Sequence, residues 1–231
     1  MNTAQRTIKY LAMAFAIFLT VAIFSGIVYG VLGIVTAGKL IGDNSTVATK
    51  CVDNNEDFCL EIALSISNLE VKKGDKLSVE TKNEKVEVVE GDHNLIITEK
   101  GRHIFERFND REVIVYLPED MEFKKVGISG GVGSINIESL HTKDLEMALG
   151  IGETTINSLE VENAKISTGI GKVSVGLKSG SEAYTINTEK GIGEITLNGR
   201  SIPDHSTNGN GEKKVEIRGG IGTINITTAQ D

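Results

Sequence analysis

The chain has 231 residues, with 24 Lys+Arg against 32 Asp+Glu for a formal net charge of −8, and it holds 26 Gly, 2 Pro, 2 Cys, 4 His and no Trp. That length suits one medium domain with an appendage. Residues 1–39 contain Arg6, Lys9 and Lys39 and no acid, which leaves 21 basic and 32 acidic side chains, a net of −11, for the rest; so acidic a surface excludes general nucleic-acid binding, and two cysteines exclude both a disulfide-dense mini-domain and a four-ligand zinc site.

Residues 1–9 are expected to form a short cytoplasmic tail. From Tyr10 to Gly38 there are 29 residues without a charge. About 20 apolar residues cross a hydrocarbon core of about 30 Å as helix, so residues 10–38 are predicted to be a transmembrane helix with room for tilt. Tyr10 and Tyr29 suit the interfaces, and Gly26 and Gly30 form a G-x-x-x-G spacing. A cleaved signal peptide, for which Val35-Thr36-Ala37 would be a passable site, has an apolar region of only about 7–15 residues, half of what is present here. No Cys follows the run in a lipobox-like context, so an uncleaved anchor is expected. Basic residues precede the helix, and Asp43, Asp53, Glu56 and Asp57 come after it. The positive-inside bias therefore places the N-terminus in the cytoplasm and residues 39–231 outside the cell.

Residues 39–59 are expected to be a polar linker with a cysteine loop. Cys51 and Cys59 enclose Val-Asp-Asn-Asn-Glu-Asp-Phe. A disulfide closes such a loop in an oxidising compartment, and two buried thiols are the alternative in a cytosolic one. The acids of the loop lack EF-hand spacing and its Gly, so a solvated loop without metal is expected.

Residues 60–231 are expected to form one all-β domain. Short alternating segments rich in β-branched residues predict strands at Ile62–Ile66, Leu77–Val79, Val86–Val88, Leu95–Ile97 and Val113–Leu117, with breaks at Lys73-Gly74-Asp75, Gly91-Asp92 and Lys100-Gly101. Beyond residue 126 the form Gly-apolar-Gly-x-β-x-apolar occurs five times, beginning at Gly131, Gly150, Gly169, Gly191 and Gly220. The starts are 19, 19, 22 and 29 residues apart, and self-similarity at such a period is the mark of a solenoid. Each unit reads as one coil of two or three short strands.

Stacked in register, the coils should form inward columns. One runs through Ile135, Thr154, Val173, Ile195 and Ile224, the other through Ile137, Ile156, Val175, Leu197 and Ile226. β-Branched and aliphatic side chains suit such columns, each packing on its copy about 4.8 Å away. Asn136, Thr155, Ser174, Thr196 and Asn225 fall between them as an outward polar ladder. The paired glycines are Gly131 with Gly133, Gly150 with Gly152, Gly169 with Gly171, Gly191 with Gly193, and Gly220 with Gly222. All ten are read as structural, serving positive φ or close approach to the next coil. No copy has the third glycine of a dinucleotide fingerprint, and Gly171-Lys172 lacks the rest of a phosphate-binding loop, so no cofactor is expected. A polar insertion at Asp204–Lys214 precedes the last copy and is a candidate for protecting an open edge.

These glycine repeats, the lead-in Val113-Ile-Val-Tyr-Leu-Pro-Glu-Asp-Met121 and the ending from Gly209 to Ile226 together resemble the bacterial membrane-anchored toastrack-type "putative adhesin" domains. The likeness covers about residues 60–228. It implies a β-solenoid displayed at the envelope of Gram-positive-like bacteria, with some relatives linked to envelope-stress signalling and no catalytic residues to carry over. The residues agree. His93, His103, His141 and His205 are scattered, and the acids Glu138, Asp144, Glu146, Glu153, Glu160, Glu162, Glu189 and Glu194 are not embedded in the aromatics that would grip a sugar. A non-enzymatic interaction module is therefore expected, with a protein or cell-wall partner and no nucleic acid. The alternative is the extracellular arm of an envelope-stress system, acting through a membrane partner because about nine residues of tail cannot house an output domain.

Overall fold

The chain divides into two units, Met1–Leu40 and Ile41–Asp231. A computed structural model describes residues 48–50, 58–100 and 111–229, all in the second unit. The expected tail, the apolar run 10–38 and Cys51 lie outside the described residues, so the cysteine pairing does too. Among the described residues no helix is long and apolar enough to cross a membrane.

The described chain is almost wholly strand. In order the strands are β1 (Ala48–Lys50), β2 (Cys59–Ile66), β3 (Asn68–Lys73), β4 (Leu77–Thr81), β5 (Val86–Glu90), β6 (Asn94–Glu99), β7 (Glu112–Leu117), β8 (Glu122–Ile137), β9 (Leu140–Leu177), β10 (Tyr184–Leu197), β11 (Arg200–Ser201), β12 (Ser206–Asn208) and β13 (Lys213–Thr228). All five strands predicted upstream of the repeats are present. The polar stretch before Cys59 also contributes one, since β1 pairs antiparallel with β4.

The long strands are bent into coils, and the burial pattern shows where. In β9 the inward positions run Leu145, Met147, Leu149, then Thr154, Ile156, then Leu159, Val161, then Ala164, Ile166, Thr168. Alternation holds within each short face and its phase resets at each corner. One 19-residue coil therefore has three faces, the upper figure of the two or three expected. The sharpest corner lies at the Gly-x-Gly segment. Gly152 and Gly171 there have φ of +145° and +148°, and a Cβ on Gly152 would lie 1.7 Å from the Gly133 carbonyl oxygen. Only glycine meets both demands.

Neighbouring coils pair parallel: Val126 sits opposite Leu145, Ile135 opposite Thr154 and Ile137 opposite Ile156. The two halves of β9 stack on each other, with Gly169 against Gly150. β13 then packs on the second half of β9, placing Ile224 opposite Val173, and β10 packs on the far side of β13, placing Ile195 opposite Ile224. Both predicted columns exist, but their last two members stand in reverse of chain order. The chain leaves one layer empty after β9, builds β10, and returns to fill the gap with β13.

This layer order sets one corner glycine, Gly193, apart from the others. The second glycines of the other pairs, Gly133, Gly152, Gly171 and Gly222, are half-buried, whereas Gly193 is exposed. Its strand, β10, is the outermost coil, so Gly193 has a neighbouring corner on one side alone. That neighbour is Gly222, whose carbonyl oxygen would lie 1.6 Å from a Cβ at position 193. Gly193 thus packs against the strand that follows it in sequence, and its other side faces water.

The segment between β10 and β13 seals the outer edge of β10 on either side of that corner. β12 pairs antiparallel with Ile186–Thr188, and β11 with Thr196–Leu197. The polar insertion thus covers the end of the stack, while the last sequence repeat is interior. At the other end a sixth coil precedes the glycine repeats. β2 and β3 stack on β8 so that Ile66 faces Val132 and Leu69 faces Ile135. Ser65-Ile66-Ser67-Asn68-Leu69-Glu70-Val71 is therefore a repeat with serine in place of both glycines. Beyond it lie β6 and β7 in parallel, then β5 and β4 antiparallel, with β1 outermost on β4.

One continuous core runs through all the coils. Aliphatic columns make most of it, joined by Met147, Tyr184 and the tilted ring pair Phe58–Phe123, whose centroids are 6.1 Å apart. Outside, the predicted polar ladder has a direct link where the Thr196 hydroxyl donates to Asn225 Oδ1 at 2.9 Å.

Candidate interaction surface

The residue between the paired glycines points outward in every coil. Leu149 on one side of the corner and Thr154 on the other are buried, and Ile151 sits on the outside of the bend. In stacking order Ile66, Val132, Ile151, Ile170, Ile221 and Ile192 are 37%, 46%, 50%, 43%, 40% and 54% exposed. These six are all of the large exposed hydrophobics among the described residues. They form an aliphatic ridge roughly 24 Å long, at about 4.8 Å per coil. Glycine or serine on either side leaves the ridge unshielded. A single exposed aliphatic is ordinary, whereas a contiguous line of six is a candidate interaction surface.

Both ends of the ridge are plugged by a carboxylate. At the β2 end Glu99 reaches in to the Ser65-Ile66-Ser67 corner. Its Oε2 accepts hydrogen bonds from the Ser65 and Ile66 N–H groups at 2.7 and 2.9 Å, and Oε1 accepts one from Asn83 Nδ2 at 3.0 Å. Partial burial pushes its pKa up, but the bonds from Ile66, Ser65, Asn83 and Ser67 together outweigh this and hold the carboxyl below its ordinary value. At the other end Asp204 Oδ1 accepts from the Lys190 N–H at 2.7 Å and the His205 N–H at 2.9 Å. The Lys190 bond is the main reason its pKa is lowered.

Glu99 makes part of the stability depend on pH. Its folded pKa lies below the unfolded one, so its contribution is complete above the unfolded glutamate value of about 4.3 and is lost as pH falls through the folded value. Glu99→Gln should lower stability by about 1–3 kcal/mol at neutral pH, and the gap to wild type should shrink on acidification from about pH 5 downward. Parallel urea titrations at several pH values check this; a gap that stays constant with pH would show that the charge is immaterial.

The predicted site residues fall into place around the ridge. Its members Val132, Ile151, Ile170, Ile192 and Ile221 are flanked by the ten repeat glycines. Positive φ occurs at the second glycine of each pair, Gly133, Gly152, Gly171, Gly193 and Gly222. The first glycines, Gly131, Gly150, Gly169, Gly191 and Gly220, have ordinary φ, and a Cβ on any of them would crowd a carbonyl oxygen of the adjacent coil. Cys59 opens β2 opposite Asn94 and Lys125.

The surface acids pair with bases on neighbouring coils: Glu153 with Lys172 at 3.0 Å, Glu146 with Lys125 at 3.6 Å, Glu160 with Lys178 at 2.6 Å and Glu189 with Arg218 at 3.4 Å. Exposed pairs of this kind add little stability. Among the described residues no group of three or more His, Cys, Asp or Glu converges as a metal site would require. A shallow depression between Lys72, Leu117, Pro118, Met121, Ser139 and His141 holds only about 20 Å³.

Neither the ridge nor the sixth coil is evident from the sequence. Ile between glycines reads like a core residue, and Ser65–Val71 lacks the glycines that mark its siblings. The signal that would have found the coil is Asn68-Leu69-Glu70-Val71, which repeats the polar-apolar alternation of Ser134–Ile137.

Stacked Gly-x-Gly corners, aliphatic columns and the lack of any α-helix among the described residues define an all-β, toastrack-type solenoid. The chain belongs to the Toastrack DUF4097 family, whose model matches residues 47–203. Among solved structures, a "putative cell adhesion protein" from Clostridium sporogenes shares the fold, with a TM-score of 0.56, 19% identity, and coverage of 80% of this chain and 100% of that one. A "putative adhesin" from Bacteroides fragilis aligns at TM-score 0.34 and 13% identity over 80% and 100% of the two chains. Another from Parabacteroides merdae aligns at 0.23 and 12% over 81% and 97%. No curated protein sequence matches.

Proposed function

We propose that this protein is a non-catalytic, membrane-anchored interaction module displayed on the outside of a bacterial cell, of adhesin type. The observation that carries the proposal is the unbroken aliphatic ridge on a rigid stack. A rigid surface feature of this length suits contact with another large molecule. Family membership and the name borne by the Clostridium sporogenes neighbour support the same class. The uncharged run 10–38 supplies the anchor, and the basic residues before it set the orientation.

Two measurements test this. Protease added to intact, wall-stripped cells should degrade the 40–231 region, and full protection would overturn the topology. Deleting the gene should reduce attachment of the cells to surfaces or to other cells; unchanged attachment would sink the adhesin role. Capture of a polytopic membrane protein by photo-crosslinking in those cells would point instead to the arm of an envelope-stress system.

A further inference from the structure

We propose that Asn210 is a site of spontaneous deamidation, a modification that loosens the entry to β13 as the protein ages. The chain has three Asn-Gly pairs, Asn198-Gly199, Asn208-Gly209 and Asn210-Gly211, and all lie in the polar stretch between β10 and β13.

The reaction consumes water, releases ammonia and needs no enzyme. The Gly211 backbone nitrogen attacks Asn210 Cγ, and the new N–Cγ bond closes a succinimide ring. The Cγ–Nδ2 bond breaks, and ammonia leaves with the proton that the attacking nitrogen gives up. Water then opens the ring. Cleavage of the new bond yields aspartate, whereas cleavage of the original peptide bond yields isoaspartate, whose main chain runs through Cγ. Glycine favours ring closure because no Cβ crowds the attacking nitrogen.

The fold treats the three pairs differently. Asn198 and Gly199 are the two-residue turn joining β10 to β11, with φ of +50° and +73° as a type I′ hairpin requires. Both ends of the Asn198 amide are held: Oδ1 accepts from the Thr228 N–H at 2.9 Å, and Nδ2 donates to Thr228 Oγ1 at 3.0 Å. Asn208 is half-buried at the end of β12 opposite Ile186, and its Nδ2 donates to Ser206 Oγ at 3.0 Å. Asn210 is exposed, and nothing among the described residues bonds to its side chain. It also stands between two glycines, where the backbone turns at the least steric cost. What opposes attack is the bond from the Gly211 N–H to the Tyr184 carbonyl oxygen, at 3.1 Å. Asn210 should therefore convert first, and roughly fivefold or more ahead of Asn198, whose amide must give up two hydrogen bonds.

The position gives the change a consequence. Gly211 leads into β13 and is pinned from both sides, by its bond to Tyr184 and by Thr185 Oγ1, which donates to Gly211 O at 2.7 Å. Isoaspartate at 210 adds one main-chain atom directly before those bonds, so they cannot both keep their geometry.

The test ages the purified full chain at physiological temperature and mildly alkaline pH, then maps tryptic peptides by mass spectrometry. An unaged sample corrects for conversion during digestion. Residues 191–200 report Asn198, and residues 201–213 report Asn208 and Asn210, told apart by fragmentation. Aspartate and isoaspartate should accumulate first at 210 in the folded chain, and the three rates should draw together in guanidinium chloride. Aged protein should be cut near Gly211 more readily than fresh protein, and Asn210→Ser should remove that difference. Conversion of Asn198 or Asn208 ahead of Asn210 in the folded chain overturns the assignment. So does an Asn210 that stays intact while the unfolded chain converts, or a lead for Asn210 that persists undiminished in denaturant. Unchanged protease resistance after full conversion overturns the loosening of β13.

Discussion

Gly171→Val is expected to abolish the folded domain. The Cβ it introduces would lie 1.6 Å from the Gly152 carbonyl oxygen, in a backbone held at φ +148°. Neither problem can be relieved locally, because the oxygen belongs to a coil fixed by its own stack, and a shift of one coil opens the columns on both sides. A loss of about 4 kcal/mol or more follows, against a total of about 5–15 kcal/mol for a typical domain. Gly127→Ala is the control, since its Cβ would meet nothing nearer than Glu61 Cγ at 3.6 Å. Thermal unfolding followed by circular dichroism should show no cooperative transition for the valine variant and a near-normal one for the control. A valine variant melting within a few degrees of wild type would mean that the coils are not tightly stacked.

Ending the chain at Glu212 is expected to cost the last two coils together. β13 contributes Val215, Ile217, Ile224 and Ile226 to the core, all buried to 2% exposure or less. At about 1.5–3 kcal/mol for each side chain, that is roughly 6–12 kcal/mol of apolar burial. The loss does not stop there, because β10 touches the rest of the stack through β13. Residues 184–212 should become sensitive to limited proteolysis, while the coils from Cys59 to Leu177 stay resistant, as neighbour-coupled repeats allow. If 184–212 remained protected, β10 would have taken the layer that β13 vacates, directly on β9, and the two coils would not be lost together.

The glycine copies from Gly131 to Gly169 were legible because a Gly-x-Gly corner and a β-branched pair recur at constant spacing, and the stacked register explains why. Membership of the columns followed from the same pattern. Three things did not. The order of the last two coils is invisible because Ile195 and Ile224 suit either layer equally: the columns are uniform, so composition carries no address. For the same reason nothing in Gly191-Ile192-Gly193 tells that this corner, alone of the five, lies at the end of the stack. The coil at Ser65–Val71 is hidden because serine stands where its siblings have glycine, and Glu99 binds the Ser65 and Ile66 N–H groups at that corner. The ridge is hidden because inward alternation restarts after each corner, so that Ile151 and Ile156 look alike in sequence yet lie on opposite sides of the wall.

The interior position of β13 bears on how the protein is made. As the chain emerges from the ribosome, the coils up to Leu177 can be laid down one upon another, each finding its template already in place. β10 appears before the strand it packs on; the layer between it and β9 stays vacant until β13 is released. Release of β13 is thereby the event that closes the stack, and a chain cut before it is left with an open edge of unpaired backbone. The repeats upstream can gain or lose whole 19-residue units without altering this closure, because entry and exit of each unit lie in the same columns. β13 therefore acts as a bolt that only a chain carrying it can throw.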